Sequence, residues 1–123
     1  MSGNKILLDS NVVIAALDGN EIALQLIDQK ALVISFISEI ELQSYQKLNQ
    51  KELIIIQNFI SECIVIDLNP EIKRLAIDFR VNYKLKLPDA IIAATAFHFD
   101  LPLITADKVF SKIEEIELIR FSI

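Results

Sequence analysis

Short apolar runs that break off at polar residues constrain this chain more than any other feature. Ile6–Leu8, Leu32–Ser35, Ile64–Ile66, Leu103–Thr105 and Leu118–Phe121 are dense in Ile, Leu and Val, as strands are. Between them, helical spacing covers about 11–17, 20–30, 37–48, 50–61, 70–84, 89–98 and 107–113. One helix start is explicit in NPEIKRLA: Asn69 caps, Pro70 takes the first helical position and Glu71 the first turn. The first four strands are nearly all apolar rather than alternating, which requires helices over both faces of a sheet. Strand–helix–strand repetition therefore predicts an α/β fold: a three-layer α/β/α sandwich around a mainly parallel central sheet, with right-handed crossovers. Sites in such sheets form beyond the carboxyl ends of the strands.

The scarce residues narrow the chemistry. At 123 residues and 53% hydrophobic composition, the chain fits one domain, 1–123, with a core of its own. Its longest apolar stretches, such as Leu53–Ile56 and Ala90–Ala94, are too short to span a bilayer. Asp9 interrupts the apolar N-terminus too early for a secretory signal, and a single cysteine forms no internal disulfide, so a reducing cytoplasm is the expected setting. Neither Gly3 nor Gly19 sits in a dinucleotide or P-loop pattern, which excludes a glycine-rich phosphate cradle. His98 and Cys63 each stand alone and cannot build a structural zinc site within one chain. A serine or cysteine nucleophile would have to use His98, which follows a long apolar helix pattern without a nucleophile motif and reads as a packed or surface histidine. Cys63, inside ECIVIDL, reads as a small core residue. What remains in quantity is carboxylate: 17 acidic against 12 basic side chains.

Four of those acids stand out. Asp9 directly follows the first strand, Asp107 comes two residues after LPLIT, and Asp89 opens the helix PDAIIAATAF. Each taken alone reads first as a helix cap, where a carboxylate accepts backbone N–H bonds and favours the dipole. Glu41 is different. With 37–48 helical, it shares a face with Ile37, Ile40, Ser44, Tyr45 and Leu48, whereas Glu39 lies about 200° around the helix on the polar side with Gln43 and Gln46. An inward carboxylate needs a cation or strong hydrogen bonds, so either a structural ion pair or a metal is expected there. Together the four acids form a like-charged constellation that repels itself unless something positive binds. Hard oxygen donors with few His or Cys nearby point to Mg²⁺ or Mn²⁺, ions that activate water and stabilise charge on a phosphate under attack.

LLDSNVVIAAL, ISEIEL, LPDAIIAATA and LITADKVF resemble, in order and spacing, the four acidic signatures of PIN-domain ribonucleases. The short chain looks most like the VapC-type toxins of bacterial toxin–antitoxin pairs. The resemblance covers nearly the whole chain, and its specificity lies in the ordered set of four. It implies a Rossmann-like α/β/α sandwich that hydrolyses single-stranded RNA with one or two Mg²⁺ or Mn²⁺ ions, leaving a 5′-phosphate and a 3′-hydroxyl. It also implies a protein antitoxin and a homodimer. Asp9, Glu41, Asp89 and Asp107 would be the metal-binding acids, with Asn11 and Thr105 as their polar companions; Thr105 bonds Asp107 or a metal-bound water, or simply caps the next turn. Ser10 stands where many relatives have threonine, and the hydroxyl is kept. The segment between Glu41 and Asp89 has no distinctive motif.

Net charge, 12 − 17 = −5, runs against the basic face usual in nucleic-acid binders. Four of those negatives are the proposed ligands, and two divalent ions would leave about −1. Arg80, Lys84 and Lys86, just before Asp89, form either a basic rim or an ordinary solvated helix end. A receiver-type phosphotransfer domain, with Asp67 as acceptor, shares the fold class, but it needs an adjacent acidic pair after the first strand and LLDSN has one acid. A haloacid-dehalogenase-like phosphatase needs an aspartate where Asn11 stands. A non-catalytic PIN-like interaction module would not need all four acids.

Overall fold

The computed structural model describes residues 4–122 and builds them on five strands: β1 (Lys5–Leu8), β2 (Ala31–Ser35), β3 (Ile64–Ile66), β4 (Leu103–Thr105) and β5 (Leu118–Arg120). Residues 1–3 and 123 of the expected domain lie outside the described residues. The strand order is β3-β2-β1-β4-β5, and every pairing is parallel. Alternation along each strand explains the unbroken apolar runs. Leu7, Val33 and Leu103 enter one core, while their neighbours Ile6, Leu8, Ile34 and Ile104 enter the other. Both faces are thus covered, by α1 (Ser10–Leu17), α2 (Glu21–Ile27) and α4 (Gln50–Ser61) on one side and α5 (Pro70–Tyr83) and α6 (Leu87–His98) on the other. The result is the three-layer α/β/α sandwich that the sequence predicts.

A short helix, α3 (Phe36–Leu42), stands at the top of β2 and belongs to both layers. Phe36 and Ile37 pack on the α5–α6 core, and Leu42 enters the α1–α4 core. Here the structure departs from periodicity, which extends this helix to 48. Gln43 is its C-cap, and the Ser44 hydroxyl donates back to the Ile40 carbonyl at 2.7 Å. The next helix then starts at a complete capping box, with Asn49 and Glu52 exchanging bonds, so Asn49 is extended. The inward residues of α3 are Ser38 and Leu42, whereas Ile40 is 58% exposed and Tyr45 43%. The apolar face assigned from sequence around Ile40 and Tyr45 is therefore wrong in phase, although Glu41 still lies half-buried beside the true inward face.

Other boundaries move less. α6 begins at Leu87 rather than at Asp89, with Lys86 as an N-cap that makes no side-chain capping bond. Residues 108–112, expected within a helix, form a 3-10 turn capped by Asp107. β1 pairs with β2 on one side and β4 on the other, so the winding reverses between β1 and β4. In doubly wound sheets, ligands bind outside the carboxyl ends of the strands at such a switch point.

Candidate active site

Asp9 stands at the switch point because β1 ends there and α1 begins. Its backbone N–H bonds the Ile104 carbonyl at 3.0 Å, docking the strand end against β4. Its side chain is pinned on both oxygens: Oδ1 accepts from the Ser10 N–H at 2.9 Å, and Oδ2 from the Thr105 hydroxyl at 2.8 Å and from Asn11 Nδ2 at 3.3 Å. The residue is 7% exposed. Burial pushes its carboxyl above the usual aspartate range, helped by the Asp107 charge and opposed by the bonds from Thr105, Ser10 and Asn11.

Thr105 is the hub of this arrangement. Its hydroxyl donates to Asp9 and accepts from the Asp107 N–H at 3.0 Å and from Asn11 Nδ2 at 3.4 Å. The Asn11 carbonyl oxygen in turn accepts from the Ala106 N–H at 3.0 Å. Thus Asn11 and Thr105 lock α1 to the segment after β4 and fix Asp9 between them. The bond to the Asp107 backbone turns the chain so that Asp107 caps the 3-10 turn, accepting from the Val109 N–H at 2.9 Å with the residue itself exposed.

Glu41 arrives from α3. Its Oε1 accepts from the Ser10 hydroxyl at 3.1 Å, joining residues on α1 and α3. Burial raises its carboxyl, the Ser10 bond lowers it and the Asp9 charge raises it. Asp89 sits in the first turn of α6, half-buried, and accepts no protein hydrogen bond among the described residues. Burial raises its carboxyl, as do the charges of Asp107, Asp9 and Glu41, while Lys86 lowers it. The four acids therefore come within electrostatic reach of one another. The ion pair expected as one explanation of Glu41 is absent: among the described residues, ion pairs join Arg74 to Glu71 and Asp78 on the exposed side of α5. Asp89 makes no capping bond either, so a capping role explains less of it than of Asp9 or Asp107.

Of the three bases proposed as a rim, Lys86 is the one whose charge acts on Asp89, and Arg80 spends its Nε–H on the Leu85 carbonyl at 3.2 Å. Asp67 leaves the edge strand β3, two strands from β1. His98 is exposed at the far end of α6, its ring edge-on to Phe99. Cys63 is half-buried, with burial pushing its thiol up to about 11. Sequence reasoning passed over Ser10 as the anchor of Glu41. The only local signal was a hydroxyl next to Asp9, and its partner is 31 positions away.

Among the described residues, no three His, Cys, Asp or Glu side chains lie close enough to grip a single ion at once. The donor chemistry nevertheless fits a hard divalent cation. Mg²⁺ keeps several waters and takes only one or two carboxylates directly, and these carboxylates gather with little compensating charge around a buried aspartate.

A parallel sheet in this order, with four acids within electrostatic reach of one another near its switch point, is that of a doubly wound α/β protein. The family model described as PIN domain matches residues 6–116, and the chain belongs to that family. A chain in a toxin–antitoxin complex from Klebsiella pneumoniae is 30% identical, with a TM-score of 0.84 over 96% of this chain and 99% of that one. VapBC2 from Rickettsia felis, bound to a DNA fragment from its promoter, superimposes at a TM-score of 0.80 with 21% identity, covering 96% and 99%. FitAcB from Neisseria gonorrhoeae does so at 0.77 with 22% identity, covering 94% and 96%. The last two likenesses concern the fold alone. No curated protein matches the sequence.

Proposed function

We propose that this protein is a metal-dependent endoribonuclease that hydrolyses single-stranded RNA with Mg²⁺ or Mn²⁺, and that it is the toxin of a toxin–antitoxin pair. The observation that carries the reading is Asp9. It is a buried, doubly anchored carboxylate that feels the charge of Asp107 and itself acts on Glu41 and Asp89, with no lysine or arginine paired to it among the described residues. PIN domains are generally nucleases, which supports a hydrolase.

Asp9, Glu41, Asp89 and Asp107 would hold one or two ions. A bound ion supplies positive charge to the scissile phosphate and makes water a stronger nucleophile. Thr105 and Asn11 keep Asp9 in one orientation, so its geometry is set before substrate arrives. Ser10 does the same for Glu41. Asp89, which accepts no protein hydrogen bond among the described residues, would turn its carboxylate toward an incoming cation. Lys86 beside it sets a positive charge at the rim for the RNA backbone.

Two apolar surfaces support the protein partners. One, around α5, exposes Ile77 and Val81, 62% and 73% accessible, next to Leu87, and suits pairing with a second copy. The other runs between α1 and α4, where Ile14, Leu17 and Ile55 lie beside the acidic Asp18 and Glu52. It suits an antitoxin segment with apolar and basic residues.

The direct test is cleavage. Purified protein, freed of any inhibitor, should cut single-stranded RNA with Mg²⁺ or Mn²⁺ and stop with EDTA. Asp9→Asn should stay folded and lose activity, and full cleavage by that variant would overturn the assignment. A small neighbouring gene encoding a DNA-binding protein that suppresses the cleavage would establish the toxin role.

A further inference from the structure

Among the described residues, the buried hydroxyl side chains are Ser35, Ser38, Thr95 and Thr105. Three have evident work. Ser35 caps α3 by accepting from the Ile37 N–H at 3.0 Å, Thr95 donates to the Ile91 carbonyl at 2.8 Å, and Thr105 donates to Asp9. Ser38 is fully buried, and its hydroxyl has no hydrogen-bond partner among the described residues. It does not bond back to the preceding turn, the usual outlet for a helical serine and the one Ser44 takes. A buried hydroxyl left unpaired costs stability and calls for a reason.

The reason lies one turn further along α3. Ser38 and Glu41 are three residues apart, so they are neighbours on the helix surface. Helical side chains lean toward the N-terminus, which lays the Glu41 carboxylate over the turn that carries Ser38. The carboxylate has capacity to spare: Oε1 accepts from Ser10, and Oε2 has no protein donor among the described residues. Ser38 sits between Glu41 and the buried Leu42, on a helix packed against both α1 and α6. A donor without an acceptor and a carboxylate oxygen without a donor thus share one helix turn at the edge of the acidic site.

We propose that Ser38 is a positioning residue for Glu41, its hydroxyl donating to the Glu41 carboxylate when a divalent cation occupies the site. The proposal rests on the metal-site reading above. Without a cation, Glu41 hangs on Ser10. With one, the carboxylate settles between two hydroxyls, one from α1 and one from its own helix, and is held for the ion.

The test uses Mn²⁺ alone, with free ion counted by electron paramagnetic resonance and stability followed by melting temperature. Ser38→Ala removes one oxygen and should leave the metal-free protein at least as stable as wild type. Its Mn²⁺ dissociation constant should rise about tenfold, the scale of a lost partner behind a metal ligand. In a Glu41→Gln background the same substitution should change Mn²⁺ binding little, because the residue it serves is gone. A Ser38→Ala variant that binds Mn²⁺ like wild type, or one whose loss is as large in the Glu41→Gln background, overturns the proposal while leaving the metal site standing. Wild type that binds no Mn²⁺ overturns both.

Discussion

The Thr105 hydroxyl donates to Asp9 Oδ2 at 2.8 Å, joining side chains 96 positions apart and closing the switch point between β1 and β4. Thr105→Val keeps the shape and removes the donor. A hydrogen bond to a charged group is worth about 1.5–3 kcal/mol, so urea unfolding should report a loss on that scale. RNA cleavage should fall with it, because Asp9 loses its strongest anchor. Thr105→Ser should recover most of both. A valine variant with an unchanged urea midpoint would show that the bond contributes nothing to stability.

Glu41 and Glu39 should separate cleanly. Glu41 bonds Ser10 beside Asp9, whereas Glu39 lies in the first turn of α3, on the side where Gln43 Nε2 donates to its backbone carbonyl. Glu41→Gln should lower single-turnover RNA cleavage about tenfold or more, as expected for a lost electrostatic or ligand role. Glu39→Gln should cost little. The reverse ranking would move the site to the other side of the helix.

Acidification should stabilise the metal-free site. Asp9 and Asp89 are held above the ordinary aspartate value of 3.8, and Glu41 above the ordinary glutamate value of 4.5, chiefly by burial. Between those ordinary values and the raised ones, the folded state binds more protons than the unfolded state, so stability falls as pH rises through the window. Equilibrium unfolding of wild type and Asp9→Asn from neutral pH down to about 4 cancels most other titrations. Wild type should gain on the variant as pH falls; a flat or opposite difference would mean that Asp9 is not strained by its charge.

Metal should act in the opposite sense from the repulsion it relieves. A ligand that binds only the folded state adds RT ln(1 + [L]/Kd), about 2.7 kcal/mol at a hundredfold excess, which raises Tm by several degrees in a domain of this size. Mn²⁺ should do this to wild type, and sodium at matched ionic strength should not. Asp89→Asn, with no capping bond to lose, should be as stable as wild type without metal and show a clearly smaller Mn²⁺ shift. A destabilised variant with a full Mn²⁺ response would leave Asp89 as a helix-dipole residue.

Val81→Glu tests the α5 surface. The residue is 73% exposed in the single chain, so a charge there should leave the monomer folded. If copies pair through this face, light scattering should show the variant as a monomer where wild type is a dimer. A variant that remains dimeric would place the contact elsewhere.

How much of this was legible in the sequence follows the range of the interactions. The apolar runs of β1, β2 and β4 marked both-face burial, because alternate residues must enter opposite cores whichever helices supply them. Asn69 and Pro70 marked the start of α5 through contacts within one turn. Even the gathering of acids was foreshadowed, since the strand ends of a parallel sheet converge and Asp9 and Asp107 follow two neighbouring ones. What stayed hidden depended on partners far along the chain. Periodicity put Ile40 and Tyr45 inside because it assumes that a helix continues. Only the packing of Ser38 and Leu42 against other layers, and the halt at Gln43, set the true phase of α3. No local pattern could say that Thr105 spends its hydroxyl on Asp9, or that Ser10 reaches Glu41. Local propensity chooses the elements and supplies the near bonds, from Ser10 and Asn11 to Asp9 and from Val109 to Asp107. The bonds from Thr105 to Asp9 and from Ser10 to Glu41 instead join segments brought together only when the sheet closes, and tertiary structure alone decides those partners.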